Sequence, residues 1–278
     1  MAAAGRSVVH YRSIALEYGA DLSRLPIELR RVFVALDADE TTRAWVDDAL
    51  TRPRPYARMA LRALAMAVVN VYDANGWTNI CRDRLLGAEQ WRLLLGAHGA
   101  PSGRLLDVGA GDGIVTRELA PLFDEVATTE LSKPMARRLR EKGYVCHERD
   151  IARDPIDDLG TFDVVALQNV IDRTTHPLRL LDRGQQLLAK DGRIVLAVPV
   201  PLQPIVFTGP TRSDPSETLP ADARDFESSV TALHERVFKP RGLRVVALAR
   251  APYLCNGSAQ SRVAVLDDAI FVLSPGRV

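Results

Sequence analysis

The stretch RLLDVGAGDG, residues 104–113, decides the fold of this chain. Its first half is an apolar run around one aspartate, which predicts a buried strand. Glycines follow at every second position and predict a tight turn that leads into a helix. They also leave the backbone free to approach a ligand, which a side chain there would block. Glu130 comes about twenty residues later, at the end of the next predicted strand, where an acid can accept hydrogen bonds from both ribose hydroxyls of a nucleoside. The stretch and the acid together predict a nucleoside cofactor on an α/β sheet.

The glycine turn, which contains Gly109 and Gly111, distinguishes between two nucleoside cofactors. The dinucleotide fingerprint is G-x-G-x-x-G, and here Ile114 stands where the third glycine belongs. S-adenosylmethionine has no phosphate and carries a sulfonium, an ammonium and a carboxylate instead. Asp107 and Asp112 suit its positive groups, whereas an acid beside a pyrophosphate at a helix N-terminus would be unfavourable. The residues therefore favour S-adenosylmethionine, while the turn does not indicate the substrate.

Length, charge and composition are those of an ordinary globular protein. The 278 residues, 47% hydrophobic and 26% charged, allow one large domain or one domain with an extension. The net charge of +1 provides no overall field that would recruit nucleic acid or an anionic membrane. The three cysteines and five histidines are scattered without metal or disulfide spacing. No apolar stretch is long enough for a bilayer and no secretory signal is visible, so an intracellular protein without a metal is expected.

The chain is expected to divide near residue 100, at the cluster of glycine and proline that follows His98. Residues 1–100 predict a helical region that packs on the core, and residues 101–278 predict the cofactor-binding domain. Helices of the first region are expected over 25–36, from Asp39 onward, over 56–72 and over 86–97.

From residue 104 onward, strands and helices alternate, which is typical of a mostly parallel sheet. Strands are expected over 104–108, 125–130, 144–149, 162–168, 193–199, 244–250 and 264–273. Helices are expected over 113–122, 133–142, 177–189 and 224–239. The proline-rich segment 200–220 is a long loop, and such loops are uncommon unless they serve a site or are disordered.

Polar residues at the ends of the predicted strands are the candidates for a site, because ligands of open α/β sheets bind at the carboxyl ends of strands. Asp150 follows the third strand and could either meet an adenine amino group or cap a helix. Asn169 and Asp172 follow the buried fourth strand, where a methyl acceptor would arrive. The segment lacks the Asn/Asp-Pro-Pro-aromatic tetrad of nucleic-acid amino methyltransferases, and no basic patch with interleaved aromatics is visible. Nucleic acid is therefore not an expected partner.

Several longer segments give a specific resemblance. The chain resembles the DREV-type, or methyltransferase-like nine, family of protein-histidine N-pros-methyltransferases from about residue 22 to the end. The resemblance rests on LDADETTRAWVDDAL (36–50), LLDVGAGDGIVTRELAPLFDEVATTELS (105–132), NVIDR (169–173), GRIVLAVPVPLQPIV (192–206), APYLC (251–255) and VLDDAIFVL (265–273). It implies a Rossmann-like, seven-stranded class I methyltransferase fold with an N-terminal helical extension. It also implies methyl transfer from S-adenosylmethionine to the N1 (pros) nitrogen of histidine in His-x-His motifs of proteins.

The resemblance also implies roles for individual residues. Glu130, Asn169 and Tyr253 match cofactor contacts of the family, and Asp107 and Gly109 match its essential loop. The chain departs from the family pattern just before VLDDAIFVL, where the family usually has tyrosines and this sequence has valine and alanine at 263 and 264.

Asp172 matches a residue that engages the target imidazole, and elementary chemistry agrees with that role. Imidazole has a pKa of about 6.5, so most target histidine is neutral at pH 7 and needs no strong base. A carboxylate that accepts the N–H of the tele nitrogen fixes the tautomer and leaves the pros lone pair for the methyl group. The hypothesis is that Asp172 does this while Asn169 holds the cofactor or the ring. The alternative is that Asp172 only pairs with Arg173 or caps a helix.

Two other functions remain open from the sequence. One is a methyltransferase for a small imidazole compound, with the 200–220 loop as a lid. The other is a non-catalytic binding protein that has kept the cofactor fold. The expected partners are His-x-His proteins or peptides, with no nucleic acid, no metal, no evident membrane association and a monomeric chain.

Overall fold

A computed structural model describes residues 8–96, 102–258 and 260–276. The described strands are β1 (Val8–Tyr11), β2 (Ile14–Glu17), β3 (Arg104–Val108), β4 (Glu125–Thr129), β5 (Val145–His147), β6 (Phe162–Gln168), β7 (Leu188–Pro199), β8 (Val206–Phe207), β9 (Arg212–Ser213), β10 (Leu243–Asn256) and β11 (Val263–Pro275). The α-helices are α1 (Ile27–Arg31), α2 (Glu40–Thr51), α3 (Tyr56–Ala65), α4 (Val71–Thr78), α5 (Ala88–Leu95), α6 (Thr116–Leu119), α7 (Lys133–Glu141), α8 (Pro177–Gln186) and α9 (Phe226–Leu233). Within these residues, no helix is long and apolar enough to cross a membrane.

Seven strands form one sheet in the order β10-β11-β7-β6-β3-β4-β5. β11 runs antiparallel to both of its neighbours, and the pairs among β7, β6, β3, β4 and β5 are parallel. The order reverses between β3 and β6, so the crevice at the carboxyl ends of these two strands is the place where a ligand binds in such a sheet. The predicted Rossmann-like α/β fold is confirmed.

The sheet is buried on both faces because its central strands are almost entirely apolar. Alternate residues of β6 and β7 enter different clusters. One cluster contains Val165, Leu167, Ile194 and Leu196 together with buried apolar residues of α8 and α9. The intervening residues face a second cluster that contains Leu16, Tyr18, Val46 and Trp91 of the first part of the chain. The N-terminal region therefore supplies one of the two layers that cover the sheet.

The N-terminal region is less helical than predicted. Its first described residues form the antiparallel hairpin β1–β2. The helix predicted over 25–36 is limited to α1, because the residues that follow continue in extended form and pair with β10. Val34 N donates to the carbonyl of Leu248 at 2.7 Å, and Leu248 N donates to that of Val32 at 2.9 Å. Valine and phenylalanine fit a pleated surface well, which explains why pairing prevails over the helix. The predicted division near residue 100 falls on 97–101, outside the described residues.

A buried arginine attaches this region to the sheet at a second point. Arg84 is 5% exposed and exchanges two backbone hydrogen bonds of 2.8 Å with Leu254 of β10. Its guanidinium contacts Asp39, which caps the N-terminus of α2, at 3.3 Å, and Glu118 of α6 at 3.7 Å. The backbone pairing places Asp83 alongside Tyr253 and Cys255, at the edge of the crevice.

Candidate active site

The glycine turn after β3 forms the floor of the site. Gly109 and Gly111 have φ values of +67° and +59°, in the left-handed region where a side chain is strained. A Cβ on Gly109 would lie 2.7 Å from Cγ2 of Val170, whereas a Cβ on Gly111 would meet nothing within 4 Å. Gly109 is thus required by its packing, and Gly111 leaves open space beside the backbone.

Asp107, the one acidic residue of β3, is buried at the base of the turn. Its Oδ2 accepts hydrogen bonds from Thr116 Oγ1 at 2.6 Å and Gln168 Nε2 at 3.2 Å. Its Oδ1 is buried and has no partner among the described residues. Burial raises the pKa of Asp107 to about 6. A buried acceptor without a partner suits the positively charged group of a ligand.

Glu130 lies at the end of β4 and faces the same turn. Its Oε2 accepts a hydrogen bond from Gly111 N at 2.8 Å, and its Oε1 accepts one from Ser132 N at 2.8 Å. Burial raises the pKa of Glu130 to about 7, although these backbone donors act in the opposite direction. The carboxyl group is therefore held in a fixed orientation at the position predicted for a ribose contact.

Asp150 caps the turn that follows β5, which is the alternative that the sequence left open beside a contact with adenine. Its Oδ1 accepts a hydrogen bond from Ala152 N at 2.9 Å, and its own N–H donates to Asp154 Oδ2 at 2.7 Å. It nevertheless lies on the wall of the cavity described next, so the turn and a ligand contact are compatible.

A cavity of about 630 Å³ extends from the glycine turn to the N-terminal region. All seven residues predicted to bind the cofactor line it, namely Asp107, Gly109, Gly111, Glu130, Asp150, Asn169 and Tyr253. The structure thus brings together residues from four strand ends of the sheet. Asp172 is not among the residues that line the cavity.

Asn169 directly follows β6 and also lines the cavity. It adopts a φ of +53°, which asparagine tolerates better than most residues, and its N–H donates to the carbonyl of Ala197 at 2.9 Å. Its side-chain amide is buried next to the carboxyl of Asp268 but makes no hydrogen bond of good geometry. Asp268 is fully buried, and this burial raises its pKa well above the usual value. Asn169 lines the cavity, so its amide lies between Asp268 and the space that a ligand would fill.

Asp172 lies one layer behind the cavity wall and is 3% exposed. Its Oδ2 accepts a hydrogen bond from Arg173 Nε at 3.0 Å, and Arg173 itself lines the cavity. Its Oδ1 is buried without a partner in the described part of the chain. Burial raises the pKa of Asp172, while Arg173 opposes that shift. The ion pair that was the alternative role for Asp172 is present, and it occupies only one of the two oxygens.

The structure adds residues that the sequence analysis did not single out. Tyr72 and Phe207 meet edge to face across the cavity, with ring centroids 6.5 Å apart. Asp83 has its pKa raised to about 6 by burial, and Tyr253 and Cys255 are its hydrogen-bonding neighbours. Tyr72 and Asp83 had no motif to indicate them, because long-range packing brings them to the site. Phe207 belongs to the 200–220 loop, where the small hairpin β8–β9 carries it over the cavity.

The sheet order, the glycine turn, Asp107 near the end of β3 and Glu130 directly after β4 define a Rossmann-like class I methyltransferase. The sequence matches the DREV methyltransferase family over residues 18–275, so the chain belongs to that family. S-adenosylmethionine is the cofactor, and the unpartnered oxygen of Asp107 and the open space at Gly111 fit it. No group of three or more histidine, cysteine or acidic side chains in the described ranges is arranged to hold a metal ion.

Other proteins are similar to parts of the chain. A malonyl-[acyl-carrier protein] O-methyltransferase of Geobacter sulfurreducens is 32% identical over 111 residues, which is 38% of this chain. The match spans 42% of that relative's length. The N-methyltransferase NodS from Bradyrhizobium japonicum, solved with S-adenosyl-L-homocysteine, is 18% identical, with a TM-score of 0.43 over 68% of this chain and 86% of NodS. The glycopeptide N-methyltransferase MtfA, solved with S-adenosylmethionine, is 18% identical, with a TM-score of 0.44 over 69% of this chain and 94% of MtfA.

Proposed function

We propose that this protein methylates the N1 (pros) nitrogen of histidine in His-x-His motifs of protein substrates. Membership of the DREV family supports methyl transfer as the reaction. The observation that carries the choice of acceptor is the buried carboxylate of Asp172, which has one oxygen held by Arg173 and the other without a partner. A ring N–H needs an acceptor of this kind.

The task left to the protein is one of positioning. When bound, S-adenosylmethionine supplies a methyl group that its sulfonium has already activated. Asp172 Oδ1 is buried behind the cavity wall in the free protein, so the substrate ring would displace Arg173 from the wall to reach it. In that position Asp172 Oδ1 would accept the N–H of the tele nitrogen, which holds the imidazole in the tautomer whose pros lone pair is free. Burial raises the pKa of Asp172, and the positive charge of Arg173 opposes that rise and favours the ionised carboxylate. As the ring gains positive charge, the same carboxylate stabilises it, because opposite charges interact strongly where water is excluded.

The cofactor would be held by residues that line the cavity. Glu130 would accept hydrogen bonds from the ribose hydroxyls, and Asp107 Oδ1 would accept one from the ammonium group. Gly109 and Gly111 would let the backbone approach, and Asp150 would contact the adenine. Asn169 and Tyr253 line the far end of the cavity and would complete the set.

The division of the chain into residues 1–100 and 101–278 also remains a proposal. In this division the second part holds the cofactor, and the first part supplies a wall on the acceptor side. Tyr72 and Asp83, which line the cavity from the N-terminal region, support this assignment.

A methyltransferase for a small imidazole compound is the second candidate. The contact between Tyr72 and Phe207 favours it, because it joins the 200–220 loop to the N-terminal region across the cavity. A lid of this kind encloses a small substrate more easily than a protein segment.

Incubation with labelled S-adenosylmethionine and a His-Ala-His peptide tests the proposal. Mass spectrometry of the hydrolysed product separates 1-methylhistidine from 3-methylhistidine, and the first is expected. Production of 3-methylhistidine would reject the tautomer argument. Free imidazole compounds are tested in parallel, and methylation of these alone would establish the second candidate. A protein that binds the cofactor by calorimetry but yields no product from either would be a binding protein.

A further inference from the structure

A second cavity adjoins the acceptor end of the active site. Its volume is about 520 Å³, and it shares Asn75, Cys81, Asp83 and Cys255 with the first. Its walls come from the end of α2 and the segment before α3, from α3 itself, from Asn75 of α4, and from residues 79–83, 255–258 and 261–262. We call it the arginine groove, because it is lined by Arg52, Arg54, Arg58, Arg62, Arg82 and Arg262.

The groove concentrates positive charge. The whole sequence carries a net charge of only +1, whereas the six arginines stand here with Asp83 as the one carboxylate among the described lining residues. Asp48, outside the lining, pairs with Arg52 and lies 3.8 Å from Arg82. Asp48 and Asp83 are thus fewer than the arginines around them, and three of these arginines have no carboxylate partner among the described residues.

Several of these guanidinium groups are held by neutral oxygens, which leaves their charge uncompensated. Arg58 donates to the carbonyl of Asn79 at 3.3 Å, and Arg262 donates to that of Arg52 at 2.7 Å. Arg62 donates to the side chain of Asn75. None of Arg58, Arg62 and Arg262 forms an ion pair within the residues that the structure describes. Repulsion between like charges that lack carboxylate partners raises the energy of the free protein. An anion that binds among them removes this repulsion.

The kind of anion follows from the rest of the lining. Guanidinium groups present forks of N–H donors that match the paired oxygens of carboxylates and also those of phosphates. Proteins that hold single-stranded nucleic acid add aromatic side chains on which bases stack. The described residues of this groove include no phenylalanine, tyrosine or tryptophan. The volume of about 520 Å³ suits a few side chains.

We propose that the arginine groove binds an acidic segment of the substrate protein next to the residue that is methylated. The groove and the first cavity share Asp83 and Cys255 in their walls, so one extended segment that passes these residues would occupy both places. The inference rests on the proposed function in so far as the acceptor belongs to a protein. It adds a rule for the substrate, namely that aspartate or glutamate flanks the acceptor.

Fluorescence anisotropy on the full chain tests this inference without any methylation. The probe is a fluorescein-labelled peptide with a run of glutamates beside His-Ala-His, on either side, and the matched peptide has glutamines. The glutamate peptides are expected to bind about tenfold more tightly, because a few exposed ion pairs of ordinary strength add up to that factor. Added salt should remove most of the difference.

Variants then assign the effect to the groove. The triple variant Arg58→Gln, Arg82→Gln, Arg262→Gln should lose the tenfold preference and retain the affinity for the glutamine peptide. The control is Arg137→Gln, which removes an exposed arginine of α7 and should change nothing. Calorimetry with S-adenosylmethionine and a thermal unfolding curve establish that each variant is folded, and the single variant Arg58→Gln replaces the triple variant if it is not.

Each outcome decides between the two proposals. Equal binding of glutamate and glutamine peptides, or an equal loss in Arg137→Gln, would overturn the inference. Stronger binding of a single-stranded RNA would also overturn it, in favour of nucleic acid. If the glutamate peptide binds through the arginines but no peptide is methylated, the groove stands and the proposed acceptor fails. If both peptides are methylated with the same KM, the acceptor stands and the groove fails.

Discussion

Binding of S-adenosylmethionine should release protons from this protein, in a number that depends on pH. In the free protein, burial raises the pKa of Glu130 to about 7 and that of Asp107 to about 6. In the proposed site, the cofactor brings two positive groups and two ribose hydroxyls to these carboxyl groups. Positive charge and hydrogen-bond donors favour the ionised form of an acid, so any proton bound there must leave.

The magnitude follows from the two pKa values. At pH 6.5 a group with a pKa of about 7 is about three-quarters protonated, and one with a pKa of about 6 is about one-quarter protonated. About one proton is therefore released per cofactor bound at pH 6.5, and about a tenth of a proton at pH 8. The same linkage makes the affinity about twentyfold weaker at pH 6 than at pH 8.

Titration calorimetry in buffers of different ionisation enthalpy measures this proton number directly. Glu130→Gln should reduce it to about a quarter at pH 6.5, since Asp107 then acts alone. Glu141→Gln, at an exposed site on α7, is the matched control and should leave it unchanged. A value near zero at pH 6.5 would refute the reasoning, because both acids would then be ionised before the cofactor arrives.

The same pKa shifts weaken cofactor binding at low pH but stabilise the folded protein there. Both acids have folded pKa values above their unfolded values of 3.8 and 4.5. Their contribution to the free energy of unfolding is therefore fully present below about pH 4 and is lost as the pH rises through about 6 to 7. Urea denaturation at a series of pH values should show this loss in the wild-type protein and a smaller loss in Glu130→Gln. Equal slopes in the two proteins would exclude Glu130 as a source.

Three further predictions concern single side chains. Asp172→Asn should lower kcat for the peptide at least tenfold and leave the cofactor Kd within about twofold, as kinetics and calorimetry would measure; an unchanged kcat would remove Asp172 from the reaction. Gly109→Ala should lower the free energy of unfolding by more than the about 1 kcal/mol expected for Gly111→Ala, because only the first Cβ meets Val170; equal losses would contradict the packing argument. Arg84→Met should cost about 3 kcal/mol in urea denaturation, since it leaves the carboxylates of Asp39 and Glu118 without their buried cation, and the added change Asp39→Asn should restore part of that loss.

The sheet was predictable where strands are apolar and end at glycine or polar residues. β3 and β6 were predicted with their observed ends, because each is a buried run with an abrupt polar boundary. β7 begins at Leu188, five residues before the prediction, since the polar segment around Asp191 gives no strand signal. Pairing of Leu188 with Phe162 of β6 extends it. Here tertiary contacts prevail over local preference.

The positions of the acids proposed to bind the cofactor were predictable for the same reason. Asp107 and Glu130 follow directly from strands that the sequence defines, so their position at the carboxyl edge needs only local reasoning. Tyr72 and Asp83 depend on how the N-terminal region docks, and no periodicity in the sequence encodes that docking. The position of Asp172 behind Arg173 is also a result of packing that the motif alone does not contain.

The two backbone bridges from the N-terminal region have a consequence for self-association. β11 pairs with one side of β10, so the opposite side is an outer edge of the sheet, with main-chain groups that could template a strand from another molecule. Phe33 and Arg84 occupy part of that edge through their pairing with Leu248 and Leu254. If the N-terminal region detached, the acceptor wall and the sheet edge would open together. Variants that loosen this region should therefore lose activity and aggregate in step, while the cofactor turn on the opposite part of the sheet stays intact.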